Sequence, residues 1–368
     1  MRGFAAVLRK EWLHMTRDRA TLIFALLVPV FELVLFGLID TNVRHVPTVV
    51  FDQSRTAQSR QLLQDFVNTS YFDIKHRAAA RSEMQEMIVA GDASVGIEIP
   101  PDYARKRLDG QPAHFLVLID GSDSSVSSAT LAAANGVALS RSLEEVMARA
   151  GMKELPVFPH PQLLFNPDSR SANLLIPGLI AILLTFSATI LAAFAIVRER
   201  ERGTLEQLMV TPVSPLGVVI GKLLPYLALA YVQLLIVLVV MVFAFRVPIH
   251  GSIWLLLGLS IPYLLALLSV GLLVSSRAKT QAEAIQMAMT VMLPSVLLSG
   301  YIFPLSSLPA PLRLISVILP ATHYIAISRG VIVRAARFAD LWPHAAALFA
   351  IAAVLVLGST QAFKKTLS

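Results

Sequence analysis

The chain has 368 residues, of which 55% are hydrophobic and only 15% charged, with a mean hydropathy of +0.67. Soluble domains carry nearer ~25% charge, so the composition excludes an ordinary soluble protein. The net charge of +7 fits basic residues held at one face of a bilayer rather than a nucleic-acid partner, and the absence of cysteine excludes disulfides, thiol catalysis and Cys-ligated metal.

Residues 3–19 read as an amphipathic helix lying in the membrane interface. Phe4, Val7, Leu8, Trp12 and Met15 recur near helical spacing, with Arg9, Lys10, His14 and Arg17 mostly elsewhere. Six apolar stretches read as spans of the ~30 Å hydrocarbon layer. They are Thr21–Ile39, Leu174–Val197, Leu223–Phe245, Ile253–Val274, Ala284–Ile302 and His344–Leu357. Lys and Arg precede the first span and follow the second, fourth and sixth, which places both termini in the cytoplasm. The segment Arg313–Arg337 is also basic but falls on the opposite side.

Residues 40–170, between the first and second spans, are far more polar and alternate strand-like with helix-like patterns. Thr48–Phe51 reads as a strand, and Ser54–Asn68 as a helix with Leu62, Leu63, Phe66 and Val67 inward. Ser82–Gln85 reads as a capping box opening a helix that stops at Gly91. Val95, Ile97 and Ile99 alternate like a half-buried strand, and Phe115–Ile119 suits a central one. The fold class is thus a polytopic α-helical membrane protein of about six spans, with an extracytoplasmic α/β domain between the first two. Asp52, Asp120 and Asp123 at strand ends read as turn formers.

Intramembrane polar groups are functional candidates. Glu32 lies in the first span after Pro29, and Gln233 lies in the middle of the third. Lys222 is near enough to a span end to snorkel. Gly217–Lys222 is a near miss for a phosphate loop, one residue short and running into a span, and is rejected. No catalytic or metal-ligand constellation is present, so no cofactor is expected on this chain. The residues by themselves leave open an ion-coupled carrier using Glu32 and a sensor reading ligands through residues 40–170.

The stretch Arg198-Glu199-Arg200-Glu201-Arg202-Gly203-Thr204-Leu205-Glu206, continuing through Leu208 to Pro212, lies between two apolar segments and must sit at the water face. Together with Phe165-Asn166-Pro167, Ile176-Pro177-Gly178, Ser299–Pro304 and Leu319–His323, it resembles the membrane subunit of a type-2 ABC exporter. The resemblance is to the branch with a large extracytoplasmic domain after the first span.

That resemblance implies a bacterial inner-membrane permease acting as a dimer, with an identical or paralogous second copy. ATP and Mg would be bound by a separate cytoplasmic ATPase, and a periplasmic adaptor is a further expected partner. It makes residues 1–20 an interfacial elbow helix, about 198–215 a coupling helix gripped by the ATPase, and about 303–340 a re-entrant exit region, with Gly300 just before it and Pro304 at its start as pathway candidates. The substrate it implies is a hydrophobic or amphiphilic compound such as a drug.

Overall fold

The structure is a computed structural model. It describes residues 2–39, 42–152, 164–201, 203 and 214–366. The chain divides into two compact units, one of residues 1–40 and 163–368, the other of residues 41–162.

In the first unit α1 (Arg2–Arg17) meets α2 (Arg19–Gly37) at a 65° bend. The remaining long helices are α7 (Ser171–Glu201), α8 (Pro215–Phe243), α9 (Ile253–Arg277), α10 (Gln281–Leu298) and α13 (Phe338–Thr366). Among the described residues, these five are each long and apolar enough to cross a membrane. Between α10 and α13 lie the short α11 (Ala310–Ile318) and α12 (Pro320–Arg334), bent by 79° at Leu319. Pro309, Pro311 and Pro320 set those breaks, since proline starts helices well and cannot continue them.

Two helices run far past their apolar windows. Helix α7 continues through Arg198–Glu201, and α13 begins at Phe338 rather than His344 and ends near Thr366. Arg, Glu and Lys are good helix formers, so the backbone continues where hydropathy stops. Arg198–Glu201 is therefore the last turn of the second span's helix, not the start of a separate one. The other expected coupling residues, Arg202, Thr204, Leu205, Glu206, Leu208 and Pro212, lie outside the described residues.

Helix α7 is the hub of this unit, with 78% of its apolar window buried. It packs against α2, α8, α9, α10 and α12. At the α7–α9 crossing, Gly271 faces the Thr189 carbonyl and Ala192, the small-residue contact that lets membrane helices approach closely. About two turns earlier in α9, Tyr263 stacks on Tyr324 of α12, with ring centroids 4.1 Å apart and planes 6° apart. Tyr263 donates to the Ala181 carbonyl at 2.7 Å, and the Tyr324 hydroxyl meets Ser260 Oγ at 2.7 Å. Nothing in the sequence patterns marked these two tyrosines.

The second unit holds a four-stranded sheet, β1 (Val46–Asp52), β2 (Phe72–Arg77), β3 (Val95–Ile99) and β4 (Leu116–Ile119), in the order β2-β1-β3-β4. The first three are parallel and β4 is antiparallel to β3. Helices α3 (Ala57–Asn68), α5 (Tyr103–Leu108) and α6 (Ser124–Ala150) share a core with Val46, Val50, Ile97 and Ile99, where Phe66 meets Phe72 edge-on at 4.9 Å. Helix α4 (Arg81–Ala90) gives Met84 to a smaller cluster with Val49.

Three local expectations fail here. The run Phe115–Ile119 contains an edge strand rather than a central one. Val67 faces outward at 41% exposure, because Leu62, Leu63 and Phe66 already fill the buried stripe of α3. The capping box belongs to Thr56 and Ser59, whereas the helix at Ser82 starts after Ala80 without a side-chain cap. The strand-end carboxylates are turn and cap groups. Asp52 accepts from Arg55 N and Ser59 Oγ, Asp120 from Ser122 N, and Asp123 caps α6 through Ser125 N and Val126 N.

Candidate coupling site

Four consecutive residues at the end of α7 each engage a different neighbour. Successive helical residues are about 100° apart, so four of them cover the whole circumference. Arg198 pairs with Asp18 and donates to Thr21 Oγ1 at 3.2 Å, at the corner between α1 and α2. Glu199 accepts from Lys222 of α8 at 2.7 Å and from Lys10 of α1. Arg200 forks onto the carbonyls of Ser276 and Ala278, and Glu201 accepts from the backbone N–H and side-chain amide of Gln281.

The signs of these contacts follow from helix ends. The last carbonyls of α9 lack intrahelical partners and carry partial negative charge, which suits Arg200. Gln281 opens α10, where the free N–H groups suit the Glu201 carboxylate. Asp18 is the N-cap of α2 and accepts from Thr21 N at 3.1 Å. Burial alone would raise the Asp18 pKa, but the two Thr21 hydrogen bonds and the Arg198 charge outweigh it and hold the carboxyl below its ordinary value.

The resemblance makes this stretch a surface gripped by a separate ATPase. Arg198, Glu199, Arg200 and Glu201 are instead committed to other helices of the same chain. Gly203 follows at φ +67°, with its N–H bonded to the Arg200 carbonyl, and turns the chain out of the helix.

Lys222 is the centre of the cluster. Its ammonium is 2.7 Å from Glu11 Oε1 and 2.7 Å from Glu199 Oε2, and its side chain is 1% exposed. It is therefore an internal cation rather than one that snorkels to water. Glu11 takes a place in the inward stripe of α1 with Val7 and Met15, spaced i, i+4, i+8, while Trp12 remains 47% exposed. Gly221 supplies the room: a side chain there would meet Val7 at 3.0 Å. The near-miss phosphate loop is thus a helix-packing site. The i+4 register of Glu11 with two buried apolar residues was the one available signal for this cluster.

Glu32 is half-buried and lines a cavity of about 500 Å³ between α2, α7 and α10. The same cavity is lined by Ser187 and Arg198, so it runs from the last turn of α7 toward Glu32. Gln233 is fully buried and bonds Ser187 Oγ at 2.6 Å, so it touches this cavity only through that serine. Gly300 and Pro304 line a different pocket, with Arg329 and Leu174 at the first turn of α7. The Phe165-Asn166-Pro167 motif is a latch before α7, where Asn166 accepts from Arg170 N at 3.1 Å and from Asn173 Nδ2 at 2.9 Å.

Residues 19–360 match the model of the ABC-2 family transporter proteins. The chain is 29% identical over 344 residues to YbhR of Escherichia coli, named a probable multidrug ABC transporter permease, covering 91% of each chain. It is 27% identical to the Escherichia coli inner membrane transport permease YhhJ, covering 87% of this chain and 86% of that one. ABC transporter G family member 20 of Dictyostelium discoideum is 25% identical over 86% of this chain, which spans 44% of that protein. On the match across nearly its whole length, the chain belongs to the ABC-2 family of membrane transporter proteins.

Proposed function

We propose that this chain is the permease subunit of an ATP-driven exporter, working as a dimer and driven through residues 198–215 by a separate ABC ATPase. The observation that carries this reading is the anchoring of Arg198–Glu201 to α1, α2, α8, α9 and α10 immediately before the Arg202–Pro212 connector. A push on that connector is delivered to five helices at once. Coupling needs the ATPase to bind two permease states with different affinity, and such a hub gives those states a shared moving part. The cavity linking Arg198 to Glu32 supports a pathway between α2 and α7.

In this reading both termini and the Lys222 cluster are cytoplasmic, residues 41–162 are extracytoplasmic, and the bent pair α11–α12 is a re-entrant segment at the exit. Relatives named as multidrug permeases support a hydrophobic or amphiphilic substrate. A periplasmic adaptor is a further proposed partner.

The test is gentle purification of the tagged chain with mass spectrometry of what accompanies it, then ATP turnover of the assembly carrying Glu206→Lys. A stoichiometric ABC ATPase, with turnover lowered by the variant while the chain still inserts, supports the reading. Unchanged turnover removes the docking role. Solute movement by the chain alone without ATP would favour an ion-coupled carrier, for which the half-buried Glu32 facing a cavity is the supporting feature.

A further inference from the structure

Basic residues at the end of the bundle opposite the coupling cluster run against the charge distribution expected of a membrane protein. Leu174 and Glu199 are 25 positions apart on α7, or about 38 Å at 1.5 Å per residue. At the Leu174 end, α12 turns one face toward a pocket of about 400 Å³. Thr322, Ile325, Ala326, Arg329 and Val333 share that face by helical spacing. The volume falls in the range of small-molecule sites, about 300–1,000 Å³.

The polar groups of this pocket are incompletely used. Arg329 donates from Nη1 to the Gly300 carbonyl at 3.0 Å and from Nη2 to the Tyr301 carbonyl at 3.4 Å. Gly300 adopts φ +84°, which turns the chain between α10 and Pro304 at this point. The Arg329 Nε–H is buried and unpartnered. No ion pair among the described residues includes Arg329 or the exposed Arg334 at the pocket edge. Thr322 is 5% exposed, and its Oγ1 is also buried without a partner.

A partly buried guanidinium bonded only to carbonyls keeps a charge that an arriving anion would compensate. Charge-assisted bonds from Arg to phosphate or carboxylate are the strongest an arriving group could make here. The other walls, Leu174, Leu305, Ile325 and Val333, are apolar.

We propose that this pocket binds the anionic head of an amphiphile. The phosphate or carboxylate sits on Arg329 with Arg334 at the mouth, and the apolar body lies against Leu174, Leu305 and Ile325. Two molecules share this chemistry, an anionic phospholipid of the bilayer and an exported anionic amphiphile. Placing the site at the outer leaflet rests on the exporter orientation proposed above, whereas the binding itself does not.

The test uses the full chain in an uncharged detergent, titrated with short-chain phosphatidylglycerol, phosphatidylcholine of equal chain length, dodecyl phosphate and inorganic phosphate. The two anionic amphiphiles should bind about tenfold or more tightly than phosphatidylcholine, as expected for a charge-assisted bond. Inorganic phosphate should be weaker than either, for lack of the apolar contacts. Arg334→Gln should lower affinity about fivefold at unchanged thermal stability, because Arg334 is exposed at the pocket edge. Arg329→Gln should lower it tenfold or more. Equal binding of anionic and zwitterionic head groups, or wild-type affinity in both variants, overturns the proposal.

The source is read from the assembled exporter in vesicles. Turnover that rises with phosphatidylglycerol identifies the lipid. Stimulation by dodecyl phosphate in pure phosphatidylcholine identifies an exported amphiphile. Arg329→Gln should abolish whichever response is present, and its persistence in the variant overturns the assignment. Binding is measured without the ATPase, so a failure of the coupling reading leaves this result intact.

Discussion

Replacing Lys222 with methionine removes the cation that two buried carboxylates share. At 2.7 Å and an effective dielectric near 20, each contact has a gross attraction of about 6 kcal/mol. Desolvating three groups whose side chains are 1%, 3% and 8% exposed offsets most of that attraction. The methionine variant keeps the desolvation of the two carboxylates and loses the attraction, so Glu11 is left without its cation while Glu199 keeps Lys10, which is 45% exposed. The expected loss is about 3–5 kcal/mol.

The clean measurement is a double-mutant cycle with Glu11→Gln, read from thermal or denaturant unfolding of the full chain in detergent. In the double variant Glu199 retains Lys10 and no buried charge faces another unpaired one. The two losses should therefore be non-additive by about 1–3 kcal/mol. Additivity within ~0.5 kcal/mol would refute the claim that Lys222 and Glu11 act as a unit. ATP turnover of the assembled transporter, measured on the same variants, should fall with the stability of this joint and not with that of the second unit.

Gly221→Leu should separate α1 from α8, since even a Cβ meets Val7 at 3.0 Å; the check is loss of a cysteine cross-link engineered between the two helices. Tyr263→Phe removes the hydroxyl that joins Ala181 and Thr185 and should cost about 1–2 kcal/mol in unfolding. The lowered pKa of Asp18 sets a direction with pH: its contribution is present above the unfolded carboxylate pKa of about 3.9 and is lost as pH falls through the lower folded value. Arg198→Gln should flatten that acid limb, which a stability titration between roughly pH 5 and 2 would detect.

Sequence alone determined that this is a multi-span membrane protein, that a polar stretch is set apart from the apolar ones, and the family. Each of these depends on windows of about twenty residues or on contiguous motifs, which are local properties of the chain. The ends of α7 and α13 were not legible, because helix formation continues through charged residues that hydropathy counts as the end of a span.

The destinations of the charges were settled only by the tertiary structure. Lys222 meets Glu11 across 211 positions, and Arg198 meets Asp18 across 180. Such pairs depend on how each helix is rotated and where neighbouring helices end. The same local pattern of alternating Arg and Glu is compatible with a solvated surface or a joint between helices, and the packing of neighbouring helices at the end of α7 selects the joint. Arg329 shows the complementary case: packing withdrew its guanidinium from water without bringing a carboxylate to it.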